Sequence, residues 1–123
     1  MSDFRELKVW SRSHALALAA YQVTKEFPQS EMYGLTSQIR RGASSIPANI
    51  AEGCGRSTDG EMVRYLRIAQ GSASELEYHL LLARDLGFLG ESDYEELNAT
   101  VSEVGRMLSM LSQRILSRLS TKD

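Results

Sequence analysis

The sequence predicts an all-α fold: an up-down-up-down antiparallel four-helix bundle, with residues 1–123 as one domain. Three observations lead there. Apolar residues recur at spacings of three and four in four separate stretches, the period of an amphipathic helix. No stretch shows strand-period alternation bounded by turn signals. The helical stretches are joined by short connections, which favour antiparallel neighbours. A chain of 123 residues buries roughly two thirds of its unfolded surface, enough for a core without disulfide or metal staples.

The first helix should start at Ser2 or Asp3, either of which can cap it, and run to about Glu26. Leu7, Trp10, His14, Ala17 and Tyr21 form one stripe, and Val9, Leu16, Ala20 and Val23 lie beside it. Apolar residues on more than one face imply more than one neighbour. Phe27-Pro28 ends the helix, because the residue before a proline is pushed out of helical conformation.

The second helix should begin near Leu35 or Thr36. Its stripe, Leu35, Ile39, Ala43, Ile46, Ile50 and Cys54, is continuous across Pro47. A mid-helix proline costs about 3 kcal/mol through a lost hydrogen bond and a clash with the carbonyl of residue i−4. Here that residue is Ala43, flanked by Gly42, Ser44 and Ser45. Small side chains permit a bend, and serine hydroxyls can bond freed carbonyls. The expectation is one helix kinked at Pro47, stopped by Gly53 and Gly55.

Ser57, Thr58 or Asp59 caps the third helix. Met62, Leu66, Ala69, Ala73, Leu76, Leu80 and Ala83 make a heptad seam. Its middle is small, at Ala69 and Gly71 to Ser74, so a partner helix can come close. Gly87 is placed as its C′ glycine. Ser92 and Glu95 have capping-box spacing at the start of the fourth helix. That helix carries Leu97, Val101, Val104, Leu108, Leu111 and Ile115, and should fray after Arg118.

Composition is that of an ordinary soluble domain, with 42% hydrophobic and 24% charged residues. No apolar run reaches the ~20 residues of a membrane span. The acid-bearing start, MSDFRELKVW, is not a signal peptide, and a single cysteine, Cys54, excludes an internal disulfide. These features point to the cytoplasm and away from membranes. His14, His79 and Cys54 match no zinc spacing, Glu75 and His79 have no second copy to make a di-metal site, and no phosphate loop is present. No catalytic constellation emerges, and neither cofactor nor metal is expected. A hydrogen-bonded interface histidine and an inert buried thiol account for these residues.

Charge is more informative. The net charge of −2 argues against strong nonspecific nucleic-acid binding by one subunit. Yet Arg40, Arg41, Arg56, Arg64 and Arg67 face only Glu52, Asp59 and Glu61 in the same stretch, while acids concentrate from Glu75 to Glu103. Arg40 and Arg41 lie about 100° apart on a helix, so one can reach a ligand while the other pairs internally, with Glu52 or Glu75 as partners. The arginines read either as ion pairs within or between subunits or as a phosphate-contacting face.

The residues also resemble a known family, the 23S rRNA intervening-sequence proteins, together with the related accessory variability protein of diversity-generating retroelements. Phe4-Arg-Glu-Leu7, Val9-Trp10, Phe27-Pro28, Glu31 and Tyr33-Gly-Leu35 carry the first part of the likeness. Gln38-Ile-Arg-Arg41, Ser45-Ile-Pro-Ala-Asn-Ile-Ala-Glu-Gly53 and Gly55-Arg56 carry its centre. Tyr65-Leu66, Ile68-Ala69, Gly71-Ser-Ala-Ser-Glu75 and Leu86-Gly87 continue it. The resemblance implies a four-helix bundle in a ring-like homo-oligomer, a pentamer, without catalysis. It implies structured RNA or DNA as a partner, or a reverse transcriptase bound as by a protein adaptor. The retroelement members are strongly basic and this chain is not, so the intervening-sequence branch is the better match. Trp10, Pro47, Asn49, Glu52, Gly71, Ser72 and Glu75 are the expected structural or interface residues. Two apolar faces on the first helix and the small strip Gly71 to Ser74 both favour packing between subunits.

Overall fold

The structure, a computed structural model, describes residues 3–121. A 3₁₀ turn at Phe4–Glu6 leads into α1 (Lys8–Thr24), and a second at Gln29–Glu31 leads into α2 (Leu35–Cys54). Then follow α3 (Asp59–Asp85) and α4 (Glu91–Thr121). Among the described residues all regular structure is helical.

Each helix packs on two neighbours: α1 on α2 and α4, and α3 on α2 and α4. The diagonal pairs, α1 with α3 and α2 with α4, do not bring their backbones together. Side-chain pairs between neighbours run in opposite chain directions. Ser45 meets Ser72 and Gly53 meets Met62. Asp59 pairs with Arg118, and Arg84 with Glu91. The stripes expected on α2, α3 and α4 are all buried, and together with Val9, Leu16, Ala17 and Ala20 of α1 they form one core. Elsewhere on α1 and just before it, Leu7 and Trp10 are half-buried whereas His14 and Tyr21 are exposed.

Helix ends differ from the expectation in several places. Asp3 caps the 3₁₀ turn rather than α1, accepting from the Arg5 amide at 2.9 Å, and Ser2 lies outside the described residues. Leu7 is extended (φ −81°, ψ 127°), so α1 starts only at Lys8, and it closes at Thr24. Thr58 is the cap of α3, accepting from the Glu61 amide at 3.1 Å. Helix α4 starts at Glu91, so Ser92 lies inside its first turn and cannot cap it. Instead the Gly90 carbonyl accepts from the Tyr94 amide at 2.9 Å. The helix continues past Arg118 to Thr121.

Helix α2 is uninterrupted through Pro47, which is buried. The serines do not bond the carbonyl that the proline leaves free. Ser44 donates to the Arg41 carbonyl, and the Ser45 hydroxyl lies 2.7 Å from that of Ser72 on α3. Asn49 Nδ2 ties this turn by donating to the Ser45 carbonyl (2.8 Å) and hydroxyl (3.1 Å).

The glycines divide by role. Gly87 has φ +82°, and the Gly87 and Phe88 amides donate to the Arg84 and Ala83 carbonyls, a complete Schellman closure of α3. Gly53 does not stop α2; it sits inside the helix, where an added Cβ would lie 3.0 Å from Met62 Sδ, 3.1 Å from Tyr65 Cβ and 3.3 Å from the Met62 carbonyl. It is what allows α3 to approach. Gly55 caps α2 at φ −85°, without left-handed backbone.

Gly53→Ala should therefore destabilise the fold by about 1–2 kcal/mol despite the better helix propensity of alanine. Gly105→Ala, where a Cβ meets nothing within 4 Å, should stabilise it by about 0.5–1 kcal/mol. Urea midpoints of the two variants check both signs.

Candidate functional site: the arginine surface

The five arginines singled out by the sequence do not form one face. Arg40 turns inward across the α1–α2 contact. Its Nε donates to Thr24 Oγ1 at 2.8 Å, a second nitrogen reaches the Tyr21 carbonyl at 3.4 Å, and the guanidinium lies 4.9 Å from the Tyr21 ring centre. Thr24 is buried and passes the bond on, donating to the Ala20 carbonyl at 2.8 Å. Arg40 is thus a strut between helices. Neither Glu52 nor Glu75 is its partner or that of Arg41.

Arg56 and Arg64 share Tyr65. Arg56 donates to the Tyr65 hydroxyl at 2.8 Å and lies 5.0 Å from the ring centre, while Arg64 lies 5.3 Å from it. Glu52 pairs with Arg56 at 3.0 Å across the end of α2, and Glu61 with Arg64 at 3.5 Å within α3, both exposed. Exposed pairs of this kind are worth little energetically, and their service is to fix side-chain direction.

Arg41 and Arg67 are exposed and make no hydrogen bond or ion pair with the described residues. Arg41 borders an open furrow of about 670 Å³ between α2 and α3, lined also by Gln38, Gly42, Ser45, Gly71, Ser72 and Glu75. Arg67 borders a furrow of about 580 Å³ between α3 and α4, with Gly60, Val63, Arg64, Ile68 and Leu116.

The contribution missed from the sequence is that of α4. Antiparallel packing sets its second half beside the first half of α3. Over residues 59–72 and 104–118 there are five arginines (Arg64, Arg67, Arg106, Arg114, Arg118) against Asp59 and Glu61. Over residues 73–85 and 91–103 there are eight acids against Arg84 alone. This half of the molecule is therefore electrically polarised along the bundle axis. Like Arg67, Arg106 and Arg114 are exposed and unpaired among the described residues. The expected antiparallel arrangement already contained this signal, because it pairs residue 59 with the region of residue 118.

The remaining expected site residues are distributed by packing. Trp10 is half-buried, stacked on His14 (4.8 Å between centroids, 9° between planes) and tilted against Phe4. Asn49 and Ser72 are engaged within the α2–α3 seam, whereas Gly71 is exposed with nothing near its Cβ position. The hydrogen-bonded histidine expected at position 79 is not found: His79 is half-buried and its buried Nδ1 has no partner. Among the described residues, no three His, Cys, Asp or Glu side chains gather as a metal site, and no helix is long and apolar enough to cross a membrane.

Cys54 is buried, and desolvation is the largest influence on its thiol, raising the pKa. The folded state therefore favours the neutral thiol. That contribution is present below the ordinary thiol value near 9 and is lost as pH rises through the higher folded value. Cys54→Ala should flatten the fall in stability above about pH 9, as measured by urea unfolding. Arg40→Ala should cost about 1–2 kcal/mol through the loss of its charged hydrogen bond. Arg41→Ala should stay within about 0.5 kcal/mol of the parent, a contrast that thermal unfolding resolves.

Fold and surface together define a small all-α bundle protein whose distinctive polar chemistry is on the outside. The chain belongs to the 23S rRNA-intervening sequence protein family, whose pattern matches residues 5–110. It is also similar to a crystal structure from Bacteroides thetaiotaomicron, described as a protein with unknown function from the S23 ribosomal protein family. Sequence identity is 25% over 85% of this chain and 95% of that one, with a TM-score of 0.80. No curated protein matches the chain.

Proposed function

We propose that this chain is a non-enzymatic, homo-oligomeric scaffold of the cytoplasm that binds structured RNA through the basic half of its α3–α4 face. One observation carries the proposal: Arg67, Arg106 and Arg114 are exposed, unpaired among the described residues and brought by antiparallel packing to the same half of the α3–α4 pair, Arg67 and Arg106 bordering furrows between these two helices and Arg114 bordering the furrow between α4 and α1. Charges already spent on internal partners gain little from phosphate, whereas free guanidinium groups release condensed counterions on binding. The acidic far end repels the same polyanion, so the molecule would meet RNA in one orientation. The family's association with 23S rRNA intervening sequences makes RNA the first probe to try. A ring of copies, a pentamer on the resemblance, would multiply a patch too small to act alone.

A second reading is supported by the composition of the same furrow. Ile68 and Leu116 are 42% and 36% exposed between Arg64 and Arg67. An apolar floor with a charged rim suits an acidic patch on a protein partner, a reverse transcriptase on the resemblance, and needs no nucleic acid.

An electrophoretic shift with a structured 23S rRNA fragment separates the two readings. Binding should be evident at 50 mM salt and weaken steeply by 200 mM. The triple variant Arg67→Ala/Arg106→Ala/Arg114→Ala should reduce affinity about tenfold or more. It should also flatten the salt slope by about 0.7–0.9 for each phosphate that is no longer neutralised. Absence of a shift at 50 mM salt would rule out the RNA proposal and leave the protein-adaptor reading.

A further inference from the structure

The outer face of α1 is an unpartnered helix face. Leu18 is 61% exposed and Tyr21 45% exposed, and both lie on a stripe that ends at exposed Lys25. The diagonal helix, α3, has an outer stripe with the same spacing: Ile68, 42% exposed, then Gly71 and Glu75. Intervals of three and four residues separate the members of both stripes. Laid parallel in register, they set Leu18 against Ile68, Tyr21 over Gly71 and Lys25 beside Glu75. In the antiparallel register that keeps Tyr21 over Gly71, Lys25 faces Ile68 and the match disappears.

From this we infer that α1 of one copy docks on α3 of the next copy in parallel, with Tyr21 filling the space over Gly71. Three independent features support this occupant. The apolar pair removes two exposed side chains from water. Gly71 offers the open position that a large ring needs, since nothing lies within 4 Å of its Cβ site. Lys25 and Glu75 are opposite charges, and neither makes an ion pair with the described residues. Because α1 and α3 occupy opposite corners, the contact is heterologous: every copy offers one of each surface, and repetition builds a ring when the rotation closes. The inference rests on the homo-oligomer proposed above and assigns its interface. It leaves Arg106 and Arg114 outside the contact, and Arg67, which shares a furrow with Ile68, borders it.

Light scattering on the size-exclusion peak tests it. The parent should have a mass that is a multiple of the chain's. Leu18→Glu and Gly71→Gln should each give a monomer with unchanged helical circular dichroism, since both positions are exposed. An equimolar mixture of the two should give a dimer, because each variant retains the one surface the other lacks. Lys25→Glu and Glu75→Lys should each weaken assembly, and the double exchange should restore it. A monomeric parent would overturn the homo-oligomer itself. A parent oligomer that survives both single variants, or a mixture that stays monomeric, would overturn only this interface.

Discussion

The structure depends on how closely α2 and α3 pack. They form the most extensive helix pair in the bundle, and residues with little or no side chain let the two backbones approach. At Gly42 an added Cβ would be in ordinary contact with Leu76 at 3.8 Å, at Ser45 the hydroxyl reaches Ser72, and at Gly53 even a methyl group is too large. Pro47 sits inside this seam. Its missing amide and ring clash oppose helix formation locally. Burial of the ring, the Asn49 bonds to Ser45 and the Ser45–Ser72 link all favour the continuous helix. A local penalty survives because tertiary packing outweighs propensity.

This also accounts for the most distinctive stretch of the sequence, Gln38–Arg56. Its small residues, proline and asparagine serve the seam. Of its arginines, Arg40 braces α1 and Arg56 is engaged by Glu52 and Tyr65, leaving Arg41 uncommitted. Unusual composition marked the place where the helices come closest, and was a poor guide to where a ligand would meet free charge.

Periodicity made the helices and nearly all of their inward faces legible, because burial imposes a 3.6-residue repeat that survives in any sequence. Helix ends were less legible. At Leu7 and Glu91 neighbouring residues compete to cap, and a shift of two residues transfers the role from Ser92 to Gly90. Partners of long side chains were legible least. Arg40 and Arg41 are adjacent and chemically identical, and only the position of α1 decides that one finds Thr24 and the other finds solvent. Likewise, the polarity of the α3–α4 face belongs to no single segment. It arises because a helix acidic at its start and basic at its end lies antiparallel to one with the opposite order.

That polarity bears on what a small bundle can do without an interior site. The core here is filled by apolar side chains of all four helices, and the arginines border open furrows on the surface. The net charge of −2 would suggest a surface indifferent to polyanions. Separation of charge changes this, because interactions at contact depend on charges within about one Debye length, ~8–10 Å, and not on the sum over the molecule. A 27-residue helix such as α3 is about 40 Å long, several screening lengths from end to end. The two halves of the α3–α4 face therefore act as separate surfaces, one basic and the other acidic, whatever the sum over the molecule.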